Sequence, residues 1–185
     1  MERLAVWRGL DEWRAEVAHV RIEDDRLTAT GTQLGLTPEP YRVDYSLTTA
    51  PAFITETVEL SALRSGGPRR LRLERTPDGL WTADDRPLPE LDGALDTDLH
   101  NSPVFNTMPV LRHSMLGGGE ARDLVMAFVT VPDLEVTRSD QRYTPLGNGS
   151  VNYRSGDFTA DIHFDDDGLV TLYEDYLELL RGQTP

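Results

Sequence analysis

Between Ala94 and Arg112 the chain reads ALDTDLHNSPVFNTMPVLR, with two carboxylates, Asp96 and Asp98, an amide, Asn106, and a single cation, Arg112, set among apolar residues. Alternate residues of an extended chain point the same way, so Asp96 and Asp98 share a face. Three kinds of chemistry fit. Two neighbouring carboxylates can work as an acid–base pair, one with its pKa raised by the other, and His100 or His113 stands close enough in sequence to assist. The carboxylates, Asn106 and Arg112 can instead accept and donate hydrogen bonds to a polar ligand such as a sugar. Or the segment is structural, with Arg112 buried against Asp98 and Asn106 satisfying backbone groups in an irregular loop. Ligand binding through Asp96, Asp98, Asn106 and Arg112 is the functional expectation, and no residue is assigned a catalytic role.

Other chemistries find little support. The chain has no cysteine, which removes disulfides, thiolate metal sites and thiol nucleophiles. The four histidines, His19, His100, His113 and His163, have no metal-binding spacing. Asp165-Asp166-Asp167 could gather around Ca²⁺ but reads better as a solvated turn. Gly117-Gly118-Gly119 and Gly147-Asn148-Gly149 do not lead from a strand into a helix as a phosphate loop must, and Ser102 and Ser114 lack the context of a nucleophile elbow. No metal and no cofactor is expected.

The elements that must position this segment are strands. Period-two alternation recurs over Glu16–Ile22, Arg26–Leu34, Tyr41–Thr48, Phe53–Leu60, Arg69–Arg75, Leu80–Ala83, Val136–Pro145, Ser150–Arg154, Phe158–Phe164 and Leu169–Leu172, with turn residues between them, while Asp123–Val131, apolar at nearly every residue, reads as a strand covered on both faces. Tyr173, Tyr176, Leu177 and Leu180 fall at i, i+3, i+4 and i+7, which predicts one short C-terminal helix. The expected fold is mostly β (α+β): about ten strands in a long antiparallel meander, curled into a β-roll or half-barrel as long meanders tend to be. At 185 residues, without repeats or a low-complexity linker, residues 1–185 are expected to form a single domain.

Charge narrows the partners. The formal net charge is -14 and all 18 basic residues are arginine, a usage that suits GC-rich bacterial coding. Such acidity argues against nucleic acid and against docking on an anionic membrane. The longest apolar run, Leu124–Val131, is too short to span a bilayer, and MERLAVWRGLDEW lacks the apolar core of a secretory signal. A cytoplasmic protein without membrane insertion is expected. No motif sets an oligomeric state.

Against these residues the chain resembles a bacterial family of glycolipid-binding proteins, formerly a domain of unknown function. Asp96-x-Asp98-Leu99 followed by Ser102-Pro103-x-x-Asn106-Thr107-Met108-Pro109-Val110-x-Arg112 is similar to that family's D-x-D-L-x-x-x-P-x-T-N-T-L-P-I-R-R signature. Weaker likenesses run through Trp7, Glu16, Gly31 and Tyr41-Arg42-Val43-x-Tyr45, through Pro132-x-Leu134-x-Val136 with Gln141-x-Tyr143, and through Phe158-x-Ala160 with Asp166-x-Gly168-Leu169-Val170-x-x-Tyr173. The resemblance implies a spiral β-roll that holds a lipid or glycolipid. The expected function is therefore non-catalytic binding of a lipid or glycolipid in the concavity of a curled sheet. The alternative is an enzyme acting on a small or glycosylated substrate through Asp96 and Asp98.

Overall fold

A computed structural model describes residues 1–180. Its strands are β1 (Glu2–Gly9), β2 (Arg14–Glu23), β3 (Arg26–Gly35), β4 (Tyr41–Ala50), β5 (Ile54–Arg64), β6 (Arg69–Arg75), β7 (Trp81–Ala83) and β8 (Arg86–Pro87) in the first half. The second half has β9 (Asp96–Leu99), β10 (Arg122–Val129), β11 (Val136–Gly147), β12 (Ser150–Ser155), β13 (Phe158–Phe164), β14 (Val170–Tyr173) and β15 (Leu177–Leu179). They form one sheet of 15 strands in the order β8-β7-β6-β5-β4-β3-β2-β1-β15-β14-β13-β12-β11-β10-β9. Each half is a meander, and the two join where β1 pairs with β15. All pairings are antiparallel except β9 with β10.

The mostly-β, curled antiparallel fold expected from the alternation is what the chain adopts. On β4, Tyr41, Val43, Tyr45 and Leu47 are buried together, and on β6 Leu71 and Leu73. Turn chemistry sets the register. Asp84-Asp85 closes β7 on β8 and Asn148-Gly149 closes β11 on β12, each with both residues at positive φ, as a two-residue type I′ hairpin requires.

The strand count exceeds the expected ten because β1, β8, β9 and β15 are short or weakly alternating. The helix expected over the tail is not formed. Tyr173 ends β14, Glu174–Tyr176 turn the chain, and Leu177 opens β15. Tyr173 and Leu177 meet across the hairpin rather than along a helix face. The physical reason is the open edge of β1. An isolated eight-residue helix is marginal in water, whereas Leu180 N–H donates to Val6 O (2.7 Å) and Leu10 N–H to Tyr176 O (3.0 Å) when the tail extends along β1.

The short α-helix lies elsewhere, as α1 (Thr107–Arg112). It sits in the connection from β9 to β10, which must be long because the two strands are parallel. This connection folds into the concavity as a plug. Val104, Met108 and Val110 are fully buried and Phe105 nearly so, its ring 5.4 Å edge-on from Tyr45. Each such side chain contributes about 1.5–3 kcal/mol by burial. Much of the hollow that a bare half-barrel would present is thereby filled by the chain itself. Among the described residues no helix is long and apolar enough to cross a membrane.

Candidate functional site

The plug leaves one end of the hollow open. A cavity of about 330 Å³ remains there, between the C-terminal ends of β9 and β10, the start of the plug, and the strands β12 to β15. Asp98, His100, Ser102 and Asn106 contribute polar groups, and Phe128, Tyr153, Phe158, Tyr173 and Tyr176 line it with aromatic rings. Its size is at the lower end of the ~300–1,000 Å³ usual for small-molecule sites.

The four residues singled out from the sequence part into two pairs. Asp98 and Asn106 line the cavity, joined by a relay on β11. Asn106 Nδ2 donates to Tyr143 Oη (2.9 Å), Tyr143 Oη donates to Gln141 Oε1 (3.5 Å), and Gln141 Nε2 donates to Asp98 Oδ2 (2.6 Å). Tyr143 is fully buried, and desolvation holds its phenol well above the ordinary tyrosine range, so it stays a neutral donor. Burial raises the Asp98 carboxyl to about 6, against the lowering effect of the Gln141 bond, and the Asp96 charge adds to the rise.

Asp96 and Arg112 pair with each other instead. The guanidinium meets the carboxylate in a two-pronged contact, Nη1 to Oδ1 at 2.7 Å and Nη2 to Oδ2, with 8% and 1% of the two side chains exposed. Arg112 therefore faces Asp96, not Asp98 as the structural alternative expected, and neither member of the pair lines the cavity. The reason is where α1 ends. A residue in its last turn lies beside the start of β9 and against Phe53 O, not at the strand's far end. His113 neighbours Arg112, which together with burial lowers its pKa. His100 stands at the cavity with its ring 5.7 Å from Phe128, and burial favours its neutral form.

A third buried acid was not singled out by chemistry. Glu16 points inward from β2, where Arg14, Glu16, Ala18 and Val20 alternate on the buried face. It accepts hydrogen bonds from Tyr45 Oη (2.6 Å), Ser102 Oγ (2.8 Å) and Gln33 Nε2 (3.1 Å). Burial lifts its pKa to about 7. Tyr45 reaches it across β3 because Gly31 lies between: a Cβ there would sit 2.4 Å from the tyrosine ring. Ser102 thus ties the start of the plug to the first meander. The sequence signal was available, since a glutamate in phase with buried residues needs partners.

The aromatic wall was also not foreseen as a site. Tyr153, Phe158, Tyr173 and Tyr176 pack with ring centroids 5.2–6.0 Å apart. Arg14 lies 3.9 Å over the Tyr176 ring, and Tyr176 Oη donates to Asn101 Oδ1. Of the remaining candidates, Asp165 caps its own turn, accepting from Asp167 N (3.1 Å) and Leu169 N (2.9 Å). Among the described residues no group of three or more His, Asp or Glu is placed to hold a metal ion.

Comparison with known proteins adds two findings. A family model described as "Putative glycolipid-binding" matches residues 4–178. The crystal structure of a DUF1089-family protein from Pseudomonas aeruginosa superposes with a TM-score of 0.73 at 28% identity, over 85% of this chain and 88% of that one. No curated protein matches the sequence.

Proposed function

The chain belongs to the glycolipid-binding family whose model spans residues 4–178, and from that premise we propose that it is a single-domain, non-catalytic binding protein whose cavity takes the head group of a lipid or glycolipid. The observation that carries this reading is the cavity itself: about 330 Å³, ringed by aromatic side chains, with Asp98 and Asn106 held on a hydrogen-bonded relay at its polar side. Aromatic rings supply contact area to a sugar or alkyl surface, and a few fixed polar groups supply orientation. Asp98 and Asn106 meet the ligand. Asp96 and Arg112 serve it indirectly, by bracing β9 against α1.

The cavity's size shapes the proposal. With the plug occupying much of the concavity, the site suits a head group and the first methylenes of a chain better than a whole acyl chain. An acid–base reaction through Asp96 and Asp98 is not favoured, because Asp96 is committed to Arg112 and does not line the cavity. Native mass spectrometry of the protein after incubation with a bacterial lipid extract tests the reading. A retained lipid that is lost in Ser155→Trp, which fills the cavity from β12, is the expected result. A protein that retains nothing, or retains the same lipid in the filled variant, overturns it.

A further inference from the structure

The chemistry of the cavity carries a statement about the ligand's charge, which rests on the cavity being a ligand site. Three acids point into the interior of this protein, and two are compensated. Asp96 has Arg112 on both its oxygens. Glu16 has three neutral donors. Asp98 is half-buried, with one donor, Gln141, on Oδ2, and its carboxylate opens on the cavity. A carboxylate partly withdrawn from bulk water gains from a counter-charge or further donors. Asp98 has neither within the fold, and its raised pKa reflects that cost.

Among the described residues no arginine lines the cavity to supply that counter-charge. Arg112 is held by Asp96, and Arg14 is held by Asp11 (2.6 Å), Glu12 (2.9 Å) and the Tyr176 ring. Arg154 alternates with the cavity-lining Tyr153 and Ser155 and faces the outside of β12. His100 is driven toward its neutral form. The turns between lining residues add negative charge: Asp157 between Ser155 and Phe158, and Asp175 between Tyr173 and Tyr176. The lining rings complete the pattern. The face of an aromatic ring attracts cations, and an aromatic cage around an alkylated ammonium is a common form of recognition. Tyr176 already holds a guanidinium over one side.

We propose that the cavity selects a head group bearing an organic ammonium, with Asp98 as its counter-ion and Tyr153, Phe158, Tyr173 and Tyr176 as the surrounding rings. Phosphate and sulfate head groups are repelled, and a neutral sugar binds more weakly than its amino counterpart. Quaternary ammonium and amino sugar share the chemistry and differ in whether the cation donates hydrogen bonds to Asp98.

Calorimetric titration with four probes sharing one short chain separates the possibilities. They are octyltrimethylammonium, the octyl glycoside of glucosamine, octyl glucoside and octyl sulfate, each kept below its micelle-forming concentration. At least one cationic probe is expected to bind about tenfold or more tighter than octyl glucoside, and octyl sulfate to show no saturable heat. Whichever cationic probe is tighter identifies the source. Asp98→Asn is expected to abolish the cationic preference. Ser155→Arg, which places a fixed cation in the cavity, is expected to abolish cationic binding even if Asp98→Asn folds poorly. Octyl glucoside binding as tightly as both cationic probes overturns the ammonium inference and leaves cavity binding standing. No saturable binding by any of the four overturns both.

Discussion

Asp96 and Asp98 leave the same strand two residues apart, and they meet opposite fates. Asp96 is closed on both oxygens by a buried arginine and is part of the architecture. Asp98 is left with a single amide donor and faces a cavity lined with rings. The difference lies outside the strand. The last turn of α1 delivers a cation beside the first carboxylate. At the second, β11 delivers only Gln141, and the neighbouring aromatic wall delivers no charge. One carboxylate spends its interactions on the fold, while the other has interactions to give. Glu16 stands between them, buried like Asp96 but satisfied by neutral donors.

The sharpest way to break this contrast is to remove the cation. Arg112→Ala leaves Asp96 buried and uncompensated and is expected to cost about 3–5 kcal/mol of stability, read by chemical denaturation. In an Asp96→Asn background the same change is expected to cost much less. Equal losses in the two backgrounds would mean that the pair is not the brace described. The next effect concerns Glu16. Its carboxyl holds a proton more tightly folded than unfolded, so its contribution to stability is complete below about pH 4.5 and is lost as pH rises past about 7. A shift of that size corresponds to about 3 kcal/mol. Glu16→Gln is therefore expected to flatten the decline in stability between pH 5 and 8 relative to the parent, and parallel curves would contradict it.

Asp98→Asn follows, with the opposite sign from Arg112→Ala. Its carboxyl is also raised, so the ionised form burdens the folded state above about pH 6. Because the group opens on a cavity, the gain at pH 8 is discounted to about 1–2 kcal/mol. The measurement is again denaturation, and a loss comparable to that of Arg112→Ala would make Asp98 a structural residue like its neighbour. The smallest change is expected from Phe158→Ala at the exposed lip of the cavity, less than about 1 kcal/mol in stability. A clear weakening of lipid retention in that variant, set against its near-normal stability, would separate the binding end of the molecule from the braced one.

How much of this was legible in the chain varies by element. The alternation of β4 and β6 and the turn residues at Asn148-Gly149 carry their own structure, because side-chain period and φ preference are local. Strand β1 and the tail over Tyr173–Leu180 were not legible in the same way. A few apolar residues at i, i+3, i+4 and i+7 fit a helix and a tight hairpin equally, and the open edge of β1 decided between them. The segment from Asp96 to Arg112 announced itself by composition. Its pairing did not, since two carboxylates compete for one arginine and their choice depends on where α1 stops.

The amino-acid sequence by itself determined a cysteine-free, strongly acidic, strand-rich chain with one polar segment that could be neither regular strand nor long helix. Those are properties of residue type and short-range period, and they survive any arrangement of the halves. Tertiary structure alone decided that the segment folds inward as a plug, that Arg112 meets Asp96, and that Asp98 is left facing four tyrosines and phenylalanines contributed by β12 to β15 and their turns. These outcomes depend on residues far apart in the chain meeting across a curled sheet, and no local preference encodes which of two neighbouring acids will find the cation.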